Sequence, residues 1–150
     1  MTSLLADIRP DSWNFPLFVH VLGATLLVGA VATAVLALLT PRGSGDPSGL
    51  RRFGFRTLLL VGLPSYIVMR IGGEWLYSKE FGDSEDDPAW VGIGYITADI
   101  GAVLLLVALI CAGIASAKSK ERLGKASGII VAIALVGWLV AVWAMGAKPT

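Results

Sequence analysis

The stretch that decides the fold is ASGIIVAIALVGWLVAVWAMGA, which covers residues 126–147 and contains no ionisable side chain. A helix needs about 20 apolar residues to cross about 30 Å of hydrocarbon. Lipid offers the backbone no hydrogen-bonding partner, so a segment of this length and composition is expected to be helical. Residues 126–147 therefore predict one membrane-spanning helix.

Three further stretches have the same character and are interrupted by very few ionisable residues. They are residues 15–39 with His20, residues 57–78 with Arg70 and Glu74, and residues 90–117 with Asp99. Across the 150 residues, 55% are hydrophobic and the mean hydropathy is +0.75, which is more apolar surface than a soluble domain of this length can bury. We therefore predict an all-α fold, residues 1–150 forming a single domain of four transmembrane helices in an up-down-up-down bundle.

The charges between the spans predict their orientation. The first connection contains Arg42, Arg51, Arg52 and Arg56 against Asp46, and the third contains Lys118, Lys120, Arg122 and Lys125 against Glu121. In the second connection, Lys79 stands against Glu80, Asp83, Glu85, Asp86 and Asp87. Basic residues in short connections stay on the cytoplasmic side. Both termini and the acidic connection are therefore predicted to be outside.

Composition excludes several classes of function. The net charge of +1 gives no reason to expect a nucleic-acid partner, so the lipid bilayer is the expected surrounding. The single cysteine, Cys111, excludes an intrachain disulfide and a cysteine-based zinc or iron–sulfur site. No Ser-His-Asp set, HExxH, CxxC or phosphate-binding glycine loop is present. The sequence therefore argues against a classical hydrolase or kinase, leaves any catalytic residues unknown, and favours a role other than that of an enzyme.

The four ionisable residues inside the spans all fall in the predicted outer half of the membrane. At about 1.5 Å per residue from the outer boundary, His20 and Glu74 lie about 6–7 Å deep and Arg70 and Asp99 about 12–13 Å deep. An unpaired charge at such a depth costs at least about 2.5 kcal/mol. Arg70 is therefore predicted to pair with Asp99, Glu74 or both, pointing into the bundle, because an Arg–carboxylate pair makes strong, bidentate hydrogen bonds.

Two interpretations of this cluster remain open. The ion pair fixes the register of the helices, or the cluster lines a cavity that is open to the outside and binds a ligand or relays protons. The candidate residues for the second interpretation are His20, Arg70, Glu74, Asp99, Tyr66 and Tyr95. No metal is predicted, since Arg70 already satisfies a carboxylate; the alternative is His20 with Met69 or Met145, a set able to hold copper or a haem iron.

The stretch from Phe18 to Gly29, FVHVLGATLLVG, resembles a pattern in small bacterial membrane proteins. There, a His early in the first span is followed by Gly-Ala and then by a Val-Gly or Trp-Gly pair. It is similar to the copper-resistance protein D group, to the membrane protoporphyrinogen oxidase of bacteria, and to related uncharacterised four-helix families. The resemblance covers about twelve of the 150 residues. It implies a location in the bacterial cytoplasmic membrane and copper, haem or porphyrin chemistry with His20 as a ligand.

The sequence therefore leaves three alternative functions. The first is a small bacterial inner-membrane protein with a polar site for ligand binding or proton relay in its outer half. The second is a non-catalytic accessory subunit of a larger membrane complex, indicated by the short chain and by small-residue ridges such as Gly94, Ala98 and Ala102. The third is a copper- or haem-binding membrane protein. A homo-oligomer is also expected, since four helices alone barely enclose a pathway.

Overall fold

The computed structural model of the chain describes residues 11–40, 47–82 and 88–147. A short 3-10 turn, Asp11–Trp13, leads into α1 (Asn14–Leu39); α2 (Pro47–Thr57) continues through a π-helical segment (Leu58–Gly62) into α3 (Leu63–Glu80); α4 (Ala89–Lys118) and α5 (Glu121–Ala147) follow. Four helical stretches are long and apolar enough to cross a membrane, namely Asp11–Leu39, Ser48–Glu80, Ala89–Lys118 and Glu121–Ala147. The prediction of an all-α fold with four such helices is confirmed for the described residues.

Helices begin earlier than the hydropathy of the sequence predicted. The second span was expected to begin at residue 57, but the helix begins at Pro47, so Arg51, Arg52 and Arg56 are helical rather than part of a loop. In the same way α5 begins at Glu121, five residues before its apolar stretch. Hydropathy marks only the part of a helix that lies in hydrocarbon, whereas backbone hydrogen bonding extends into the charged flanks. Of the predicted connection residues, Arg42, Asp46, Asp83, Glu85, Asp86 and Asp87 lie outside the described residues.

Pro64 explains an irregularity in the second span. Proline has no N–H, so the carbonyl of Leu60 loses its helical partner, and the sequence predicts a kinked helix here. The structure has the π-helical segment Leu58–Gly62 immediately before this proline, in which the N–H of Leu63 bonds to the carbonyl of Leu58. A π turn therefore takes up the break in α-helical hydrogen bonding.

Glycines allow α1 and α3 to touch through their backbones. A methyl group added at Gly72 would lie 2.5 Å from the backbone nitrogen of His20, and one added at Gly23 would overlap the backbone of Met69. No side chain fits between the two helices at either position. The first half of α1 and the second half of α3 therefore form a tightly packed pair, as small residues permit between helices in lipid.

Helices α4 and α5 form a second tight pair. A methyl group at Gly101 would lie 2.6 Å from Cε2 of Trp138, and one at Gly94 would lie 2.7 Å from Cε of Met145. Trp138 is 3% exposed and packs against α4 at this point. The first half of α4 is thus held against the second half of α5.

The two pairs join in the remaining half of the bundle. Val31, Leu58, Leu105 and Val131 come from four different helical segments, and each is 0–1% exposed. Ser127 is completely buried in the same region, and its hydroxyl donates to the carbonyl of Ala108 over 2.7 Å. This half is filled with side chains, so any internal space must lie in the other half, between the α1–α3 pair and the α4–α5 pair.

Candidate functional site

A cavity of about 550 Å³ lies between the two helix pairs, lined by residues of α1, α3, α4 and α5. Its walls are mainly apolar, with Met69 and Trp138 among the lining residues. Small-molecule sites in proteins have volumes of about 300–1,000 Å³ and a mostly apolar lining with a few polar groups. In size and composition, the cavity matches a site for a small organic molecule.

Four of the six predicted site residues line this cavity, and two lie beside it. His20, Arg70, Glu74 and Tyr95 are lining residues, whereas Tyr66 and Asp99 are not. The sequence reasoning placed these residues at a similar depth on three helices. Their depth alone did not indicate which side chains would reach the internal space.

Arg70 connects α3 to α4 through two carboxylates. Its Nε lies 3.1 Å from Oε1 of Glu74, and its Nη1 lies 3.1 Å from Oδ1 of Asp99. The guanidinium carbon is 4.8 Å from the centroid of the Tyr95 ring, and the Tyr95 hydroxyl donates to Oε2 of Glu74 over 3.0 Å. Both oxygens of Glu74 are therefore occupied, and one face of the guanidinium is covered by an aromatic ring.

The ion pairs lie at the edge of the cavity rather than on the axis of the bundle. The exposed fraction of the side chain rises from 31% for Arg70 to 49% for Glu74 and 64% for Asp99. The prediction that the whole pair points into the bundle is wrong for Asp99. The reason is that α3 and α4 belong to different helix pairs, which separate at the cavity. The Arg70–Asp99 ion pair between them therefore lies on the outer edge of the cavity.

His20 is held separately from this network. Its Nδ1 lies 2.8 Å from the backbone carbonyl of Met69. A carbonyl oxygen can only accept, so Nδ1 carries a hydrogen and donates it to this oxygen. A methyl group on Gly73 would lie 3.0 Å from Nδ1, so the imidazole also packs closely on α3. His20 and the ion pairs share the cavity, but no hydrogen bond within the described residues joins them.

Tyr66 links the two helix pairs beside the cavity. Its hydroxyl donates to the carbonyl of Ala98 over 3.3 Å, and its ring centroid is 6.3 Å from that of Trp138. Tyr66 belongs to α3, whereas its two partners belong to α4 and α5. Tyr66 therefore connects the helices beside the cavity, and its role in ligand binding or proton relay stays a prediction.

Three aromatic residues outside the predicted site, Tyr77, Phe81 and Trp90, also line the cavity and form a chain of ring contacts with Tyr95. The ring centroids of Tyr77 and Phe81 are 5.3 Å apart, those of Tyr77 and Tyr95 5.7 Å, and those of Phe81 and Trp90 5.9 Å. Glu80, beside them on α3, lines the cavity as well. Tyr77 and Phe81 continue the face of Arg70 and Glu74 at helical spacing, a signal that the sequence does contain. Phe81 and Glu80 were missed because they were assigned to the acidic connection.

The side chains at the cavity decide whether a metal ion or a haem could bind there. Within residues 11–40, 47–82 and 88–147, no three His, Cys, Asp or Glu side chains lie together as a group that could hold a metal ion. His20, Met69 and Met145 all line the cavity, but Glu74 and Asp99 are engaged by Arg70. The remaining donors, one imidazole nitrogen and two thioethers, are of types that copper accepts, so copper or haem binding at His20 stays a prediction.

Comparisons of the chain with protein-family models, with curated proteins and with solved structures found no match.

Proposed function

We propose that this chain is a multi-pass protein of the bacterial cytoplasmic membrane that binds a small organic ligand in the cavity between its two helix pairs. It is an up-down-up-down bundle with both termini outside, and the cavity lies in the outer half of the membrane. The cavity of about 550 Å³, bordered by the Arg70 network, is the observation that carries the proposal.

Contacts between helix ends support the alternating topology. Residues early in one helix lie against residues late in another: His20 against Gly72, Gly94 against Met145, Gly54 against Leu38, and Phe55 against Gly113. The first two contacts belong to the end with the cavity and the last two to the opposite end. That opposite end also carries Arg51, Arg52, Arg56, Lys118, Lys120, Arg122 and Lys125, which favours its location in the cytoplasm.

Ligand binding accounts for the cluster better than proton relay. A relay across the membrane needs a continuous chain of polar groups or water from one side to the other. Beyond the cavity, the packed half contains Val31, Leu105 and Val131, each 0–1% exposed. Its buried Ser127 is engaged with a backbone carbonyl. Among the described residues, the polar groups thus end in a pocket that is closed on the side of the packed half. Such a pocket is suited to holding a molecule.

The orientation can be tested with single cysteines. In a Cys111→Ser background, cysteines at Lys120 and at Ser78 are introduced one at a time, and intact cells are labelled with a membrane-impermeant maleimide. We expect labelling at Ser78 without permeabilisation and labelling at Lys120 only after it. The reverse pattern would overturn the proposed orientation.

Ligand binding is tested by filling the cavity. Ala24 of α1 lines it, whereas Leu26 on the same helix is 49% exposed and does not. The purified protein is heated with a panel of small amphipathic compounds of positive, negative and zero charge. A ligand at 100 times its Kd stabilises the folded state by about 2.7 kcal/mol. We expect at least one class to raise the melting temperature of the wild type and of Leu26→Phe but not of Ala24→Phe. If no class acts differently on Ala24→Phe, the proposal fails.

A second candidate is an accessory subunit of a larger membrane complex. It is favoured by the exposure of Asp99, whose side chain is 64% exposed on a helix that is apolar enough to span a membrane. A charge on such a surface is better accommodated against another protein than against acyl chains. Under this function, the native protein should migrate with a partner in mild detergent, and Asp99→Leu should release it. Migration of the native protein as a free monomer would exclude it.

A further inference from the structure

The ionisable groups at the cavity carry an excess of negative charge. The lining residues include one basic side chain, Arg70, and two acidic ones, Glu74 and Glu80. A third acid, Asp99, pairs with Arg70 at the outer edge. Lys79, the neighbouring basic residue of α3, is not a lining residue. Three carboxylates thus face one guanidinium, and they remain in the majority even when His20 is charged.

Arg70 is poorly placed to receive an anion. Its Nε and Nη1 are directed to Glu74 and Asp99, each over 3.1 Å, and the Tyr95 ring covers one face of the guanidinium at 4.8 Å. An anionic ligand would have to share the guanidinium with these two carboxylates, whose negative charges would repel it. Glu80, in contrast, forms no ion pair with any residue that the structure describes.

The Glu80 carboxylate lines the same part of the cavity as the aromatic rings. Tyr77, Phe81, Trp90 and Tyr95 form a chain of ring contacts of 5.3–5.9 Å, and all four line the cavity together with Glu80. The faces of aromatic rings attract cations, above all quaternary ammonium groups, which lose little hydration on binding. Deeper in the cavity, Met69 and Trp138 provide an apolar wall. A cationic head therefore fits the rings and Glu80, while an apolar body fits the interior.

We propose that the ligand of this cavity is a hydrophobic organic cation, an onium or protonated amine on an apolar body. The inference rests on the proposed ligand-binding function and specifies the class of compound. The positive centre lies among Tyr77, Trp90, Tyr95 and Glu80. The apolar body lies against Met69 and Trp138.

Two ions of matched shape and opposite charge test this directly. Tetraphenylphosphonium and tetraphenylborate are titrated separately by calorimetry into the purified full chain in an uncharged detergent, with empty micelles as the blank. We expect saturable binding of one tetraphenylphosphonium per chain, at least tenfold tighter than binding of tetraphenylborate. Glu80→Gln and Tyr77→Leu should each weaken phosphonium binding about tenfold. Glu121→Gln removes an acid at the start of α5, outside the cavity, and should leave phosphonium binding unchanged. The helical circular dichroism spectrum identifies variants that have failed to fold.

The outcomes separate this inference from the function on which it rests. If tetraphenylborate binds as tightly as the phosphonium, or if neither binds while another compound class stabilises the protein in an Ala24-dependent manner, the cation class is wrong and ligand binding stands. If phosphonium binding is unchanged in both Glu80→Gln and Tyr77→Leu, the binding lies elsewhere and the inference is overturned. If no compound of any charge stabilises the protein, both proposals fall.

Discussion

Replacing Arg70 with leucine removes the only ionic connection that the described residues make between α3 and α4. The change leaves Glu74 Oε1 and Asp99 Oδ1 without the guanidinium that lies 3.1 Å from each. A hydrogen bond to a charged group contributes about 1.5–3 kcal/mol when it is shielded from water. The two carboxylate side chains are 49% and 64% exposed, so each contribution is reduced by solvent screening. We therefore expect Arg70→Leu to lower the free energy of unfolding by about 2–4 kcal/mol.

The assay is reversible unfolding of the purified protein in mixed micelles, followed by circular dichroism. Arg70→Lys retains the charge but cannot contact both carboxylates in the same planar geometry, so it should fall between wild type and Arg70→Leu. Lys125→Leu is the matched control, since its Nζ is 3.3 Å from Oε1 of Glu121 in an ion pair four residues apart on one helix, which connects no two helices. Such a pair contributes about 0.3–0.5 kcal/mol. Equal losses for Arg70→Leu and Lys125→Leu would refute the reasoning that the Arg70 bridge joins the two helix pairs.

Two further substitutions test the packing of the bundle. Gly72→Ala places a methyl group 2.5 Å from the backbone nitrogen of His20, so we expect a loss of about 1–3 kcal/mol of stability by overpacking. Gly29→Ala, with no atom within 4 Å of the new methyl group, should instead be neutral or stabilising by up to about 1 kcal/mol, and both are measured by the same unfolding assay. Ser127→Ala removes the buried 2.7 Å hydrogen bond to Ala108 and should cost about 1 kcal/mol; an unchanged stability would show that this carbonyl is satisfied otherwise.

The sequence predicted the number and approximate extent of the apolar helices because ionisable residues interrupt the chain at regular intervals. It could not show that the helix continues through Arg51, Arg52 and Arg56, since the cost of a charge vanishes outside the hydrocarbon and hydropathy no longer reports on structure. The π-helical segment before Pro64 was predicted only as a disruption, since a missing N–H does not specify how the chain adapts.

The candidate site was partly predictable in the same way. The depth of Arg70 and Asp99 followed from counting residues, but their position at the edge depends on which helices pair. That pairing is decided by close approaches at particular glycines, such as Gly72 of α3 against α1 and Gly101 of α4 against α5, and glycine is too frequent in the spans to indicate which ones make contact. Glu80 and Phe81 belong to the site because α3 extends to Glu80, beyond the end of the apolar stretch at residue 78.

The π-helical segment Leu58–Gly62 has a consequence for how the chain tolerates length changes. A turn closed by an N–H five residues ahead accommodates one residue more than an α-helical turn does. Deleting a single residue from this segment should therefore restore a regular helix and keep the phase of both flanks. The same deletion between Pro64 and Met69 would instead rotate Arg70 and everything after it by about 100° away from α4.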